Sequence, residues 1–449
     1  MPTKPELLDR AGADQAIVDL RDLSVHYDLG GSTLARLVGL STGTVRAVDG
    51  VNLTIRPGEV VGLVGESGSG KSTLGRALLG LAPITGGSII LHGRDLGRLS
   101  RRGLRRVRSD VQMVFQDPNG ALNPAMIVEE AVADPLRIHG VGPASERHRR
   151  VVETLELVGL SPVELFASKY PSDLSGGQKQ RVVIARAIIM GPSVLVADEP
   201  ISMLDMSVRA KILQLMLDLK DRLDLTYLYI THDLASAKFF CDRIAIMYLG
   251  RIVELGSTAD IFADPKHPYT KALLAAIPDP DPSQARTKQL LSGEIPDAAR
   301  PPGGCAFHPR CPAAFDRCGW EARDLAAGLE SHWLRNRAST YDTERAKISN
   351  LDAIARQEAG RPALLRPSGT GSPADLTELL TEMRDEAPDA RFWTGVESVE
   401  ERSGGVEVTF HPGEEPLLRP SGRVEVACHL FPPESEAAGR HTSPDPGKQ

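Results

Sequence analysis

Nine consecutive residues, Gly65, Glu66, Ser67, Gly68, Ser69, Gly70, Lys71, Ser72 and Thr73, have the types and spacing to hold a phosphate chain. Gly68 and Gly70 tolerate positive φ, so backbone N–H groups can converge on an anion. Lys71 supplies a point charge for the β- and γ-phosphates, and the Ser72 hydroxyl suits a magnesium ion bridging them. Asp198 and Glu199 set two carboxylates side by side, the first suited to the magnesium shell and the second to polarising an attacking water. A second anion site is implied by Leu174, Ser175, Gly176, Gly177 and Gln178, where a serine in N-cap position precedes two glycines that expose N–H groups at a positive helix end. His232 follows an apolar run and is placed to touch a γ-phosphate. Tyr27 offers a stacking face for a nucleobase, or is an edge tyrosine.

These side chains need a sheet to carry them. Val60, Val61, Leu63 and Val64 predict a buried strand leading into the glycine-rich turn, and Leu74, Leu78 and Leu79 recur at helical spacing after it. Val111 to Phe115, Val194 to Ala197 and Leu225 to Ile230 read as further buried strands, delivering Gln116, Asp198–Glu199 and Thr231–His232 to the carboxyl edge, where open α/β sheets bind ligand. Ile17 to Thr54 reads as an antiparallel flank interrupted at Gly30 to Thr44, and Ser88 to Leu91 as another strand. Asp117 to Gly120 is a turn; Ile127 to Ile138 and Val151 to Val158 read as helices of a small separate subdomain. Arg101, Arg102, Arg105, Arg106 and Arg108 read as a solvated helix face.

Composition narrows the class. The chain has 449 residues, 41% of them apolar, a net charge of −7 and a calculated pI near 5.9. That length supports two or three domains, and the acidic balance argues against a dedicated nucleic-acid binder. The first thirty residues lack an apolar core of signal-peptide length and no later run approaches bilayer-spanning length, which predicts a cytosolic chain. Five cysteines do not make a secreted disulfide framework.

Taken together, GESGSGKST, Gln116, LSGGQ, VLVADE, the SMLD segment Ser202 to Asp205 and His232 resemble the nucleotide-binding subunit of an ABC transporter. VQMVFQDPNGALNP, YLGRIVELG, HPYTKALLAAIP and GCAFHPRCP further resemble the oligopeptide and dipeptide importer branch. The resemblance covers roughly residues 15 to 320 and a short segment near Cys428. It implies an α/β P-loop NTPase with a RecA-like core, an antiparallel β flank and a helical subdomain at about 118–192, all within 1–265. A small Cys-containing region at 266–330 is expected to follow, completed by about 423–432. It also implies that Lys71 binds phosphate, Ser72 and Asp198 ligate magnesium, Gln116 couples the metal to the membrane subunit, Glu199 is the catalytic base and His232 the switch histidine. Asp205 is implied at a dimer seam. LSGGQ acts on ATP held by a second ABC ATPase subunit.

The implied cofactors are ATP and Mg2+, and the implied partners are that second subunit, two membrane-spanning permease subunits and an extracellular substrate-binding protein, with no nucleic acid. The chain would sit peripherally on the cytoplasmic face of the membrane and hydrolyse ATP to drive uptake of peptides. Oligosaccharide or nickel cargo, or a soluble non-transport ABC ATPase, are the alternatives. The sequence departs from the family at Met203, where alanine is usual, and in the longer loop after Tyr27.

Cys305, Cys311 and Cys318 lie close together in a Pro-rich loop, with Cys428 far downstream. Their spacing leaves open zinc with His308 or His429, bare thiols, or an iron–sulfur centre. The resemblance implies a [4Fe–4S] cluster, as in some members of the branch. Cys241 reads as packing. Residues 331–422 form an expected α+β insertion without assigned chemistry, read as a spacer in preference to a partner-docking or regulatory part. Ser372–Pro373 starts a helix with Leu376, Leu379, Leu380 and Met383 on one stripe, and strands at Phe392 to Val399 and Val406 to Phe410 flank a Ser403–Gly405 turn. LLRPSG occurs at Leu364 to Gly369 and again at Leu417 to Gly422. Residues 433–449 read as a disordered tail.

Overall fold

The computed structural model describes residues 16–30, 43–277, 293–335 and 338–432. The chain divides into two compact units, Met1–Asp264 and Pro265–Gln449.

In the first unit, β1 (Val18–Asp28) and β2 (Thr44–Ile55) pair antiparallel, followed by β3 (Val60–Val64), α1 (Lys71–Leu78), β4 (Gly86–Leu91), β5 (Arg94–Asp95), α2 (Arg101–Asp110) and β6 (Val111–Val114). Helices α3 (Val128–Ile138), α4 (Ala144–Leu157) and α5 (Gly176–Ile188) come next. The unit continues with β7 (Val194–Asp198), α6 (Met206–Leu223), β8 (Thr226–Thr231), α7 (Leu234–Phe240), β9 (Arg243–Tyr248) and β10 (Arg251–Ser257), and closes on a short helix at Thr258–Ala263. The antiparallel flank has the order β2-β1-β4-β5, and the main sheet runs β10-β9-β3-β8-β7-β6.

Every residue of β3, β7 and β8 is buried. That explains their continuous apolar runs, since a parallel strand covered on both faces has no solvent side on which to alternate. Because β3, β6, β7 and β8 run parallel, their carboxyl ends share one edge. The turns after those strands carry Gly65, Gln116, Glu199 and His232 to that edge. In β1 and β2 burial does alternate in part, with register shifts between Leu20 and His26. No residue of the arginine helix α2 is buried.

The second unit contains α8 (Pro268–Ala275), α9 (Ala322–Arg335), β11 (Ala363–Leu365), α10 (Pro373–Glu386), β12 (Val396–Arg402), β13 (Gly405–Phe410), β14 (Arg419–Ser421) and β15 (Val424–Val426). One hydrophobic core joins Ala314, Cys318, Trp320 and Leu329 to Leu376, Met383, Val406 and Val408. Residues 331–422 are thus built into the same core as the cysteine loop, which a spacer would not be. The expected strand at Phe392 to Val399 is corrected: residues Arg391–Gly395 form a 3-10 turn and the strand begins at Val396. Phe392 meets Trp320 edge-on, with ring centroids 6.0 Å apart, and a Cβ on Gly395 would lie 2.0 Å from Trp320 Cδ1, so the indole dictates the turn. The α10 stripe and the β12–β13 hairpin follow the expected pattern. The two LLRPSG copies differ in structure, one entering β11 by its leucines and the other β14 by Arg419–Ser421. Residues 433–449 lie outside the described residues.

Candidate nucleotide site

The turn between β3 and α1 is fixed by close backbone approach. Gly70 has φ 101°, and a Cβ there would stand 1.9 Å from the Ala47 carbonyl oxygen; one on Gly65 would stand 2.1 Å from that of Met247. Only glycine fits either place. Gly68, at φ 79°, turns the loop outward with Ser67, both exposed, whereas Ser69 is buried and Glu66, Ser72 and Thr73 are half-buried. Lys71 is buried and donates from Nζ to the carbonyls of Gly65 and Glu66, both at 2.7 Å, and to Ser69 Oγ at 3.2 Å. Burial lowers its pKa, while the carboxylates of Glu199, Asp198 and Glu66 oppose that shift. The ammonium sits in the loop it would serve, held by groups that a phosphate can replace.

Across the edge, Ser72 Oγ donates to Asp198 Oδ1 at 3.0 Å. Burial pushes the Asp198 carboxyl up; the Ser72 hydrogen bond works against this and the neighbouring Glu199 charge adds to it. Glu199 adopts φ 47°, an unusual conformation for a residue with a Cβ. Its amide donates to the Ile230 carbonyl at 2.9 Å, and its own carbonyl accepts from Ser202 Oγ at 3.0 Å. The carboxylate that results faces two partners, Gln116 Nε2 and His232 Nδ1, each at 2.9 Å. Ser72 with Asp198, and Gln116 and His232 with Glu199, therefore form one polar edge.

The remaining residues stand apart from these hydrogen bonds. Ser175 caps α5 and forms a reciprocal box with Gln178, whose Oε1 accepts the Ser175 N–H at 2.9 Å. Gly177 has Val208 against it, leaving 2.7 Å for a Cβ, while Leu174 is buried and Gly176 is exposed. Asp205 is the N-cap residue of α6 but accepts no side-chain cap bond, and it is exposed beside Met203 and Met206. Tyr27 lies on β1 opposite Val45, 39% exposed. Two contacts were not foreseen from the sequence: that of Ser202, named there only as part of SMLD, with the Glu199 carbonyl, and that of Lys179, which donates to Asn119 Oδ1 at 2.9 Å and so ties α5 to the turn after Gln116.

Residues 48–202 match the ABC transporter model, and residues 253–318 match that of the oligopeptide/dipeptide transporter C-terminal region. A putative peptide import ATP-binding protein of Brucella ovis is 46% identical over 317 residues, spanning 71% of this chain and 96% of the relative. The chain belongs to the ABC transporter ATP-binding family. Another relative, the oligopeptide transport ATP-binding protein AppF of Bacillus subtilis, is 41% identical over 327 residues, 72% of this chain and 98% of its own. Among solved structures, cbiO1 of Clostridium perfringens, part of the ABC transporter complex cbiONQ, is similar with TM-score 0.48 and 30% identity over 56% of this chain and 92% of that one. As a member of this family the protein is an ATP hydrolase that uses ATP and Mg2+.

The second unit of this ABC ATPase carries the cysteine loop. Cys305 N–H donates to the Cys318 carbonyl at 2.9 Å, and Cys318 Sγ accepts from the Phe315 amide at 3.5 Å. Burial pushes all three loop thiols up, Cys311 to about 11, and Cys305 also feels the charges of Cys318, Cys428 and Cys311. Among the described residues no group of three or more His, Cys, Asp or Glu stands in metal-binding geometry. His308 is corrected as a zinc ligand: it is fully buried, with Nδ1 on the Cys305 carbonyl at 2.8 Å and Nε2 on Asp324 at 3.1 Å. His429 Nε2 bonds the Glu414 carbonyl at 2.8 Å. Cys241 is buried, its Sγ 2.7 Å from where a Cβ on Gly62 would lie, as packing requires.

Proposed function

We propose that this chain is the ATP-hydrolysing subunit of a binding-protein-dependent importer of oligopeptides or dipeptides, peripheral on the cytoplasmic face of the membrane. The observation that carries the reading is one chain joining the Glu199 edge to a region matching the oligopeptide/dipeptide transporter C-terminal model. The relatives named for peptide import favour that cargo over oligosaccharide or nickel.

In this reading the N–H groups of Gly65 to Thr73 hold the phosphates and Lys71 trades its loop carbonyls for the β- and γ-phosphate oxygens. Tyr27 stacks on the base. Ser72, Asp198 and Gln116 are the groups that would hold magnesium, and the Ser72–Asp198 pair fits, being hard oxygen donors 3.0 Å apart. Bound there, magnesium neutralises phosphate charge. Glu199 orients a water for in-line attack and takes its proton, Gln116 and His232 fixing the carboxylate plane. Leu174 to Gln178 presents the N-terminus of α5 to ATP held by a second ABC ATPase subunit, with Asp205 at the seam, so that ATP closes the pair and hydrolysis releases it. Gln116 and the turn tied by Lys179 pass that movement to two permease subunits, and an extracellular binding protein delivers cargo.

The four cysteines are read as ligands of a [4Fe–4S] cluster. Support comes from the donor set alone: Cys305, Cys311 and Cys318 in one loop, with Cys428, supply four soft sulfurs. Binding would displace the protons that burial keeps on Cys305, Cys311 and Cys318.

The test is purification from membranes. The chain should co-purify with integral membrane subunits, and loaded binding protein should stimulate its ATPase. Recovery only from a ribosome-bound cytosolic fraction would sink the transport reading.

A further inference from the structure

Four arginines line one cavity of about 420 Å3 in the first unit: Arg102, Arg105 and Arg106 from α2 and Arg150 from α4, beside His139 and Ser109. Among the described residues no carboxylate lines it. Nearby acids are already engaged, Asp110 with His92 and Ser193, and Glu146 with Arg149 and Arg150. Arg105 donates to the Ile138 carbonyl at 2.5 Å, which closes the end of α3 but does not cancel its charge. The guanidinium groups of Arg102 and Arg106 have no partner among the described residues. Burial and the Arg105 charge hold His139 below its usual range, which favours the neutral imidazole, a hydrogen-bonding group, over a fifth charge.

In a chain of net charge −7, four arginines with a carboxylate partner for Arg150 alone among the described residues repel one another, and a multivalent anion removes that cost. Arginine fits the role, because its planar fork matches two phosphate oxygens at once. A cavity in the lower part of the usual ligand-pocket range also suits a compact group. We infer that this arginine cavity binds a phosphate-bearing anion, either a free phosphate compound or a phospholipid headgroup. It shares no residue with Gly65–Thr73 or Leu174–Gln178 and is a further anion site, separate from the ATP cradle. The sequence alone made these arginines a solvated helix face; Arg150 and His139, arriving from other helices, turn that face into a wall.

The test uses the full chain carrying Lys71→Ala, so that the cradle contributes little. It is titrated with pyrophosphate by calorimetry and floated with vesicles of phosphatidylcholine alone or with added phosphatidylglycerol. Pyrophosphate binding supports a free phosphate compound, and phosphatidylglycerol-dependent flotation supports a headgroup. In either case Arg102→Glu with Arg106→Glu should weaken binding about 30-fold, roughly fivefold per arginine compounded, with more from the reversed sign. Both side chains are exposed, so folding should persist, and an unchanged thermal midpoint checks it. The milder Arg102→Gln with Arg106→Gln pair serves if the first variant unfolds. Absence of both kinds of binding, or equal binding by the variants, overturns the assignment.

Discussion

Gln116 Nε2 donates to Glu199 Oε2 at 2.9 Å, joining residues 83 positions apart at the carboxyl edge of the sheet. The other oxygen of the same carboxylate meets His232, so the group proposed as the base is restrained at both oxygens.

Glu199→Gln keeps the shape and both neighbours but removes the proton acceptor. ATP binding should persist while turnover falls about 100-fold or more, the usual contribution of a positioned base. Wild-type ATPase rates in this variant would defeat the assignment.

Ser202 holds the carbonyl of Glu199 while that residue occupies φ 47°. Ser202→Ala should lower kcat by roughly tenfold, about the loss of one hydrogen bond, with little change in KM. Equal loss in nucleotide affinity would show instead a general collapse of the loop.

Gly70→Ala should cost about 2–4 kcal/mol of stability, from forced positive φ and overlap with the Ala47 carbonyl. Denaturant titration measures it. Gly68→Ala, where nothing lies within 4 Å of the added Cβ, should cost less, near the strain of φ alone.

His267 is buried at the start of α8, its Nδ1 accepting the Tyr269 amide at 3.1 Å, and burial holds its pKa down to about 3 against 6.5 in the open chain. The unfolded chain therefore takes up a proton that the folded one refuses. The contribution is fully present above the open-chain value and is lost as pH falls toward the folded one, by up to about 1.4 kcal/mol per pH unit. Urea midpoints measured across that window should fall with pH, and His267→Gln should flatten the slope. An identical slope in the variant would place the effect elsewhere.

Anaerobically purified protein should be coloured and contain iron and acid-labile sulfide, both lost on Cys311→Ser. Colourless, iron-free protein would discard the cluster reading.

The strands at Val60–Val64, Val194–Asp198 and Thr226–Thr231 and the helix after Lys71 were legible in the sequence because each is a local pattern. A fully buried strand is a continuous apolar run, and a glycine pair before lysine and serine marks a tight turn whatever surrounds it. The same locality made the α10 stripe and its Ser372 cap readable. Other features depend on partners far along the chain. Whether Phe392 entered a strand or a turn was decided by Trp320, and whether residues 331–422 formed a spacer or half of a core was decided by packing against Leu325 and Trp333.

The sequence by itself determined what chemistry this protein can attempt, since residue types and short spacings fix a phosphate cradle, a pair of acids and the family they belong to. Only the tertiary structure decided how those groups face one another: that Glu199 turns through positive φ into the grasp of Gln116 and His232, and that Arg102 and Arg150 share a cavity. The physical reason is that distance and desolvation are set by chain segments tens of residues apart, which no local pattern encodes.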